Sequence, residues 1–139
     1  MAALPALRHL DVSQTLLPAF PLSLCQLTAL ESLDVSTEHY GEHREIPFRH
    51  LPDRIANMQG LRKLGLDVHR FAELPEALRT LPHLRSLSLR HVQMPALPAW
   101  LGELPALQEI DVRWAEIGDD ASLRNVVAKL QERGVKVQA

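Results

Sequence analysis

The sequence predicts an α/β solenoid, a coil in which short parallel strands alternate with tight helical returns. Two observations carry this expectation: one apolar spacing recurs at a step of 23 residues, and a proline follows an apolar residue at the same place in successive copies. The first copy reads Leu4, Leu7, Leu10, Val12, Leu17, Phe20 and Leu24. The second reads Leu27, Leu30, Leu33, Val35 and, after an insertion, Phe48, Leu51 and Ile55. The third is Met58, Leu61, Leu64, Leu66, Phe71, Leu74 and Leu78, and the fourth is Leu81, Leu84, Leu87, Leu89, Met94, Leu97 and Leu101. A fifth opens with Leu104, Leu107, Ile110, Val112 and Ile117 before the pattern decays. All 28 positions of the first four copies are apolar, although only 46% of the chain is, and self-similarity at such a period marks a repeat architecture.

Each element follows from the spacing within a copy. The L-x-x-L-x-L stretch alternates with period 2, so it forms a short strand with one face buried. Leu10 with Val12, Leu33 with Val35, Leu64 with Leu66, Leu87 with Leu89, and Ile110 with Val112 point inward. The second half of a copy carries Phe20-Pro21, Leu51-Pro52, Leu74-Pro75 or Leu97-Pro98. Proline suits the first position of a helical turn, where its missing N–H has no intrahelical partner, and apolar residues then recur at helical spacing. Each coil thus pairs a strand with a helical or 3₁₀ return, and neighbouring strands stack in parallel.

The C-terminal end departs from the repeat. From Asp119 to Arg133, Leu123, Val126, Val127 and Leu130 share one helical face, with Asp119 or Asp120 as N-cap and Gly134 as stop. Val135 and Val137 then alternate with Lys136 in a strand that adds to the open end of the sheet. Residues 119–137 read as a cap. No comparable cap precedes Leu4, so the first coil is expected either to continue upstream of Met1 or to self-associate through its exposed strand edge.

Composition bounds the function. At 139 residues, the chain is one domain. Fifteen basic residues against 17 acidic give a formal charge of −2, with no field to recruit nucleic acid or an anionic membrane. The first residues lack a secretory pattern, and no apolar run approaches a membrane span. The chain is expected to be soluble. The single cysteine excludes an intramolecular disulfide and favours a reducing compartment; Cys25, beside the repeated Leu24, reads as an inert buried thiol.

With these motifs the chain resembles the leucine-rich repeat family, in its 23-residue Leu-Pro variety, over residues 4 to 117. The resemblance implies a right-handed superhelix with the parallel sheet on a concave face, and a protein partner bound there. It also implies that an asparagine ties adjacent turns where this sequence has Thr15, His69, Val92 and Ala115. Valine and alanine cannot make those hydrogen bonds, so backbone or water should satisfy the turn carbonyls, with looser curvature around the fourth and fifth copies. Leu-Pro repeats resembling these occur in bacterial effectors joined to a ligase or other catalytic domain, and in intracellular scaffolds. The alternative to a free interaction module is therefore the substrate-recognition fragment of a larger bacterial effector or ligase.

Carried over residue by residue, the recognition face comprises three outward columns and a flank. The first column is His9, Ser32, Lys63, Ser86 and Glu109; the second is Asp11, Asp34, Gly65, Ser88 and Asp111. The third is Ser13, Ser36, Asp67, Arg90 and Arg113, and the flank holds Gln14, Thr37, Val68, His91 and Trp114. On strands about 4.8 Å apart, Asp11 and Asp34 should repel, with Asp67 nearby, while Arg90, His91 and Arg113 stand beside Trp114. The surface is expected to be acidic early and basic late. Any solvated sheet carries mixed charge, but a rigid array with a Trp and Arg cluster has the composition of a protein-binding hot spot. Trp100 lies in a convex return and is expected to cover the neighbouring coil.

The insertion within residues 37–47 brings His39 and His43, four apart, and His50 follows. On a helix this spacing places two imidazoles on one face, as metal sites require. Gly41 and the flanking strand make the segment a loop, so no metal or other cofactor is expected, and the loop is solvated or contacts a partner. No phosphate loop, nucleophile elbow or paired cysteines occur, and no catalytic activity is expected.

Overall fold

The computed structural model describes residues 6–13, 20–36 and 50–139. Leu4, Thr15, Leu17, the 37–47 insertion with His39 and His43, and Phe48 lie outside the described residues.

Among the described residues, six three-residue strands form one parallel sheet: β1 (His9–Asp11), β2 (Ser32–Asp34), β3 (Lys63–Gly65), β4 (Ser86–Ser88), β6 (Glu109–Asp111) and β8 (Lys136–Gln138), in that spatial order. Register follows the repeat without slippage. Leu10, Leu33, Leu64, Leu87, Ile110 and Val137 stand opposite one another in succession. A one-residue slip would turn this apolar row to solvent, which is why the sequence holds the register firmly. Leu33, Leu64, Leu87 and Ile110 are buried, and they continue into one spine with Leu30, Leu61, Leu84 and Leu107. Leu7, Leu10 and Val12 in the first coil are only partly buried against that spine.

Each return is a five-residue 3₁₀ turn: Leu22–Gln26, Asp53–Asn57, Glu76–Thr80 and Ala99–Glu103. The prolines sit one place earlier than the spacing predicts. Pro21, Pro52, Pro75 and Pro98 are the cap residues, extended at ψ between 118° and 148°. Each proline carbonyl accepts the N–H three residues on, from Leu24, Ile55, Leu78 and Leu101. The ring fixes φ, and the carbonyl closes the tight turn. The buried leucine or isoleucine of each turn completes the spine, contributing about 1.5–3 kcal/mol apiece.

Around the fourth and fifth copies the backbone itself satisfies the turn groups. A second parallel ladder, β5 (Gln93–Met94) with β7 (Glu116–Ile117), runs beside the main sheet, extended by an Arg70 to Gln93 bridge. Backbone supplies the missing asparagine bonds: the Val92 carbonyl accepts from Glu116 N, and Met94 O accepts from Gly118 N. In the third copy His69 takes the asparagine's place. It is buried, and its Nε2 donates to the Val35 carbonyl of the preceding coil at 2.6 Å.

The C-terminal cap forms as the sequence predicts. Helix α1 (Asp120–Glu132) is capped by Asp119, whose carboxylate accepts from Ser122 N, and buries Val126 and Leu130. It ends with Gly134 at φ +80°; Gly134 N donates to Gln131 O and Val135 N to Leu130 O, a Schellman closure. The chain then enters β8, paired in parallel with β6. Among the described residues no helix is long and apolar enough to cross a membrane. Cys25 is free and buried, and burial pushes its thiol up, only partly opposed by Arg54, as suits an inert side chain. Trp100 is buried in its return.

Candidate functional site: the concave sheet face

The outward residues of the strands line a trough of about 430 Å³ from His9 and Asp11 across to Ser88 and Arg90. It continues past Lys63 and Arg90 to Glu109, Asp111 and Gln138. Strand β8 lengthens two columns, placing Lys136 beside Glu109 and Gln138 beside Asp111. These two residues were not among the sequence-predicted site residues, although the Val135, Val137 alternation was the signal for them.

Aspartates organise the strand ends. Asp11 Oδ1 accepts from Ser13 N at 2.8 Å, Asp34 Oδ1 from Ser36 N at 3.0 Å, and Asp111 Oδ1 from Arg113 N at 3.1 Å. These are Asx turns, in which a short acidic side chain satisfies the backbone two residues on. Gly65 and Ser88 occupy the same column: Gly65 has no side chain to do this, and the Ser88 hydroxyl is turned to Asp67 instead. There, a side chain of the preceding coil substitutes: Ser36 Oγ accepts from Asp67 N at 2.9 Å, and Asp67 Oδ1 accepts from Arg90 N at 2.9 Å.

Ser36 and Asp67 are largely buried where the columns placed them facing outward; each is only 8% exposed, and its side chain bonds to the next coil. Nor is the late end of the face basic, because its arginines are paired. Arg90 Nε and Nη2 contact Asp67 Oδ2 at 3.0 and 2.9 Å, and Arg113 grips both oxygens of Asp111 at 2.8–3.2 Å. Arg90 also approaches Asp111 at 3.8 Å. Partial burial raises the Asp111 carboxyl, but the Arg113 hydrogen bonds outweigh it and hold it below the ordinary range. Interleaved opposite charges lower the energy of a partly dehydrated row, where segregated ones would repel. On β1, the Ser13 hydroxyl and N–H hold the exposed Asp11 carboxyl below its ordinary value.

The flank supplies the aromatic surface. Val68, His91 and Trp114 occupy the left-handed region, at φ 73°, 59° and 59°. They are one repeat apart. The conformation is disfavoured for side chains with a Cβ; at Val68 and His91 the backbone bonds from Val68 N to Arg90 O and from His91 N to Arg113 O hold it. It sets His91 and Trp114 as neighbours in a row. Their rings stack at 4.8 Å and 15°, which matches the spacing of adjacent strands. The Arg113 guanidinium carbon lies 5.2 Å from the Trp114 ring centroid, within cation–π range. Trp114 is nonetheless 61% exposed.

Thus His91, Arg113 and Trp114 meet as expected, Arg90 joins them through Asp111, and His9, Asp11, Asp34 and Lys63 line the trough. Ser13 is engaged with Asp11. Among the described residues no group of three or more His, Cys, Asp or Glu side chains is placed to hold a metal ion; His50 is exposed.

Parallel stacking, 23-residue coils and 3₁₀ returns define a leucine-rich repeat solenoid. Solved structures have the same fold. A Leptospira interrogans LRR protein superposes over 86% of this chain, with TM-score 0.69 and 21% identity, covering 28% of that protein. An internalin (inlF) from Listeria monocytogenes does so over 99%, with TM-score 0.69 and 16% identity, covering 36% of it. A plant peptide hormone receptor, solved in complex with RGF2, matches over 71% at TM-score 0.55 and 20% identity, covering 15% of the receptor. The chain thus spans well under half the length of these proteins. No family model matches the sequence, and no curated protein matches it.

Proposed function

We propose that this chain is a protein-recognition module that binds a polypeptide on its concave face, anchored at the flank by Trp114. The observation that carries the reading is the Trp114 cluster. A large aromatic stands 61% exposed on a rigid backbone, braced by the His91 ring and the Arg113 guanidinium. Holding an indole in water is unfavourable by the transfer of its apolar area, and a pre-ordered Trp with arginines is the composition of a binding hot spot. The receptor complexed with RGF2 shares the fold, which supports the reading by analogy.

The test compares proteins retained from a cell extract by the immobilised chain, by Trp114→Ala, and by Arg124→Ala on the exposed side of α1. A partner bound by the concave face loses about 2 kcal/mol or more on Trp114→Ala, roughly 30-fold in Kd, and nothing on Arg124→Ala. Equal retention by all three rejects the site.

A further inference from the structure

The pairing of charges across the concave face is incomplete in a directed way, and it specifies the partner. This inference rests on the recognition reading above. Of the four aspartates in the sheet's outer columns, Asp67 and Asp111 are each matched by an arginine. Asp11 and Asp34, register partners on β1 and β2, have no ion pair among the described residues, and each uses Oδ1 for a backbone cap. Gly65 lets the Asp34 carboxylate lean across β3: a Cβ there would meet Asp34 Oδ1 at 2.7 Å. Lys63 faces the same trough from the first column and makes no ion pair among the described residues, so two carboxylates face one ammonium. At the other end the arginines beside Trp114 are already neutralised.

We infer that the face binds an extended polypeptide segment that brings a basic side chain to Asp34 and Asp11 and an aromatic or large apolar side chain to Trp114 and His91. An acidic partner is repelled at the first end and, at the second, meets arginines already paired with Asp67 and Asp111. The spacing is also set. Asp34 and Trp114 belong to coils separated by three strand steps, about 14 Å along the sheet and somewhat more on the diagonal. An extended segment covers this in roughly four to five residues.

The experiment selects peptides from a random twelve-residue display library on the full chain, counter-selecting on Trp114→Ala, and measures the enriched peptides by fluorescence anisotropy. The expected set carries Lys or Arg four to six positions from an aromatic or large apolar residue. Asp34→Asn weakens a selected peptide at least tenfold, and weakens the same peptide with its basic residue changed to Gln less than twofold. Circular dichroism checks that Asp34→Asn is folded; should it unfold, Asp11→Asn with the same peptide pair is read instead. Peptides that need Trp114 but lack a basic residue, or carry Asp or Glu in its place, overturn this inference and leave the recognition site standing. No enrichment over the Trp114→Ala control overturns both.

Discussion

A Cβ at Gly65 would lie 2.7 Å from Asp34 Oδ1 and 2.9 Å from its Cγ, so Gly65→Ala must push that carboxylate off the Ser36 N–H. Removing glycine from a strand gains about 0.5–1 kcal/mol, while a hydrogen bond to a charged acceptor is worth roughly 1.5–3 kcal/mol. The loss wins. Denaturant titration should show Gly65→Ala less stable by about 1 kcal/mol, and Asp34→Asn should shrink the difference. At His69, burial lowers the imidazole pKa below its ordinary 6.5, against the raising effects of the Val35 carbonyl, Asp67 and Asp34. The unfolded chain therefore binds a proton more readily than the folded one. The stability contributed by neutral His69 is full above pH about 6.5 and is lost as pH falls from there toward the lower folded value. Urea midpoints between pH 7.5 and 5 should carry this slope, and His69→Leu should abolish it while losing about 1–3 kcal/mol at pH 7.5 for the orphaned Val35 carbonyl. The sequence marked His69 only as a departure from asparagine; that its ring reaches the preceding coil depends on its burial.

Among the elements, the C-terminal cap is held by more than its apolar face. Arg133 donates to the Gly102 and Leu104 carbonyls at 2.6 and 2.7 Å, Lys129 pairs with Glu103 at 2.7 Å, and Gly102 lies against the Lys129 methylenes. Leu130→Ala should cost about 2–5 kcal/mol and lower Tm, whereas Lys129→Ala, an exposed pair, should cost at most about 1 kcal/mol. The cap was legible because an amphipathic helix announces itself within one segment through Asp119, Leu123, Val126, Leu130 and Gly134. The ladder of β5 and β7 was not. Gln93-Met94 and Glu116-Ile117 are too short to show a period, and they become strands only because stacked coils bring their backbones together. The charge pairing lay between these cases. Asp67 and Arg90 are one repeat apart in the same column, so their contact could be read from the period, yet reading the column as a gradient of sign hid it.

For the whole molecule, the consequence of register is positional. Because every coil advances the sheet by one strand and turns the same columns outward, the gap between Asp34 and Trp114 is counted in whole coils rather than shaped by any single side chain. The fold is a ruler with graduations of about 4.8 Å. Duplicating residues 81–103, one full coil, should leave a folded protein, since each coil contacts only its neighbours. It should move Trp114 one graduation away from Asp34, so that the best-bound peptides lengthen by one to two residues between their basic and aromatic positions. Selection on the lengthened chain measures this directly, and an unchanged spacing would mean that the two ends of the face do not read the same segment.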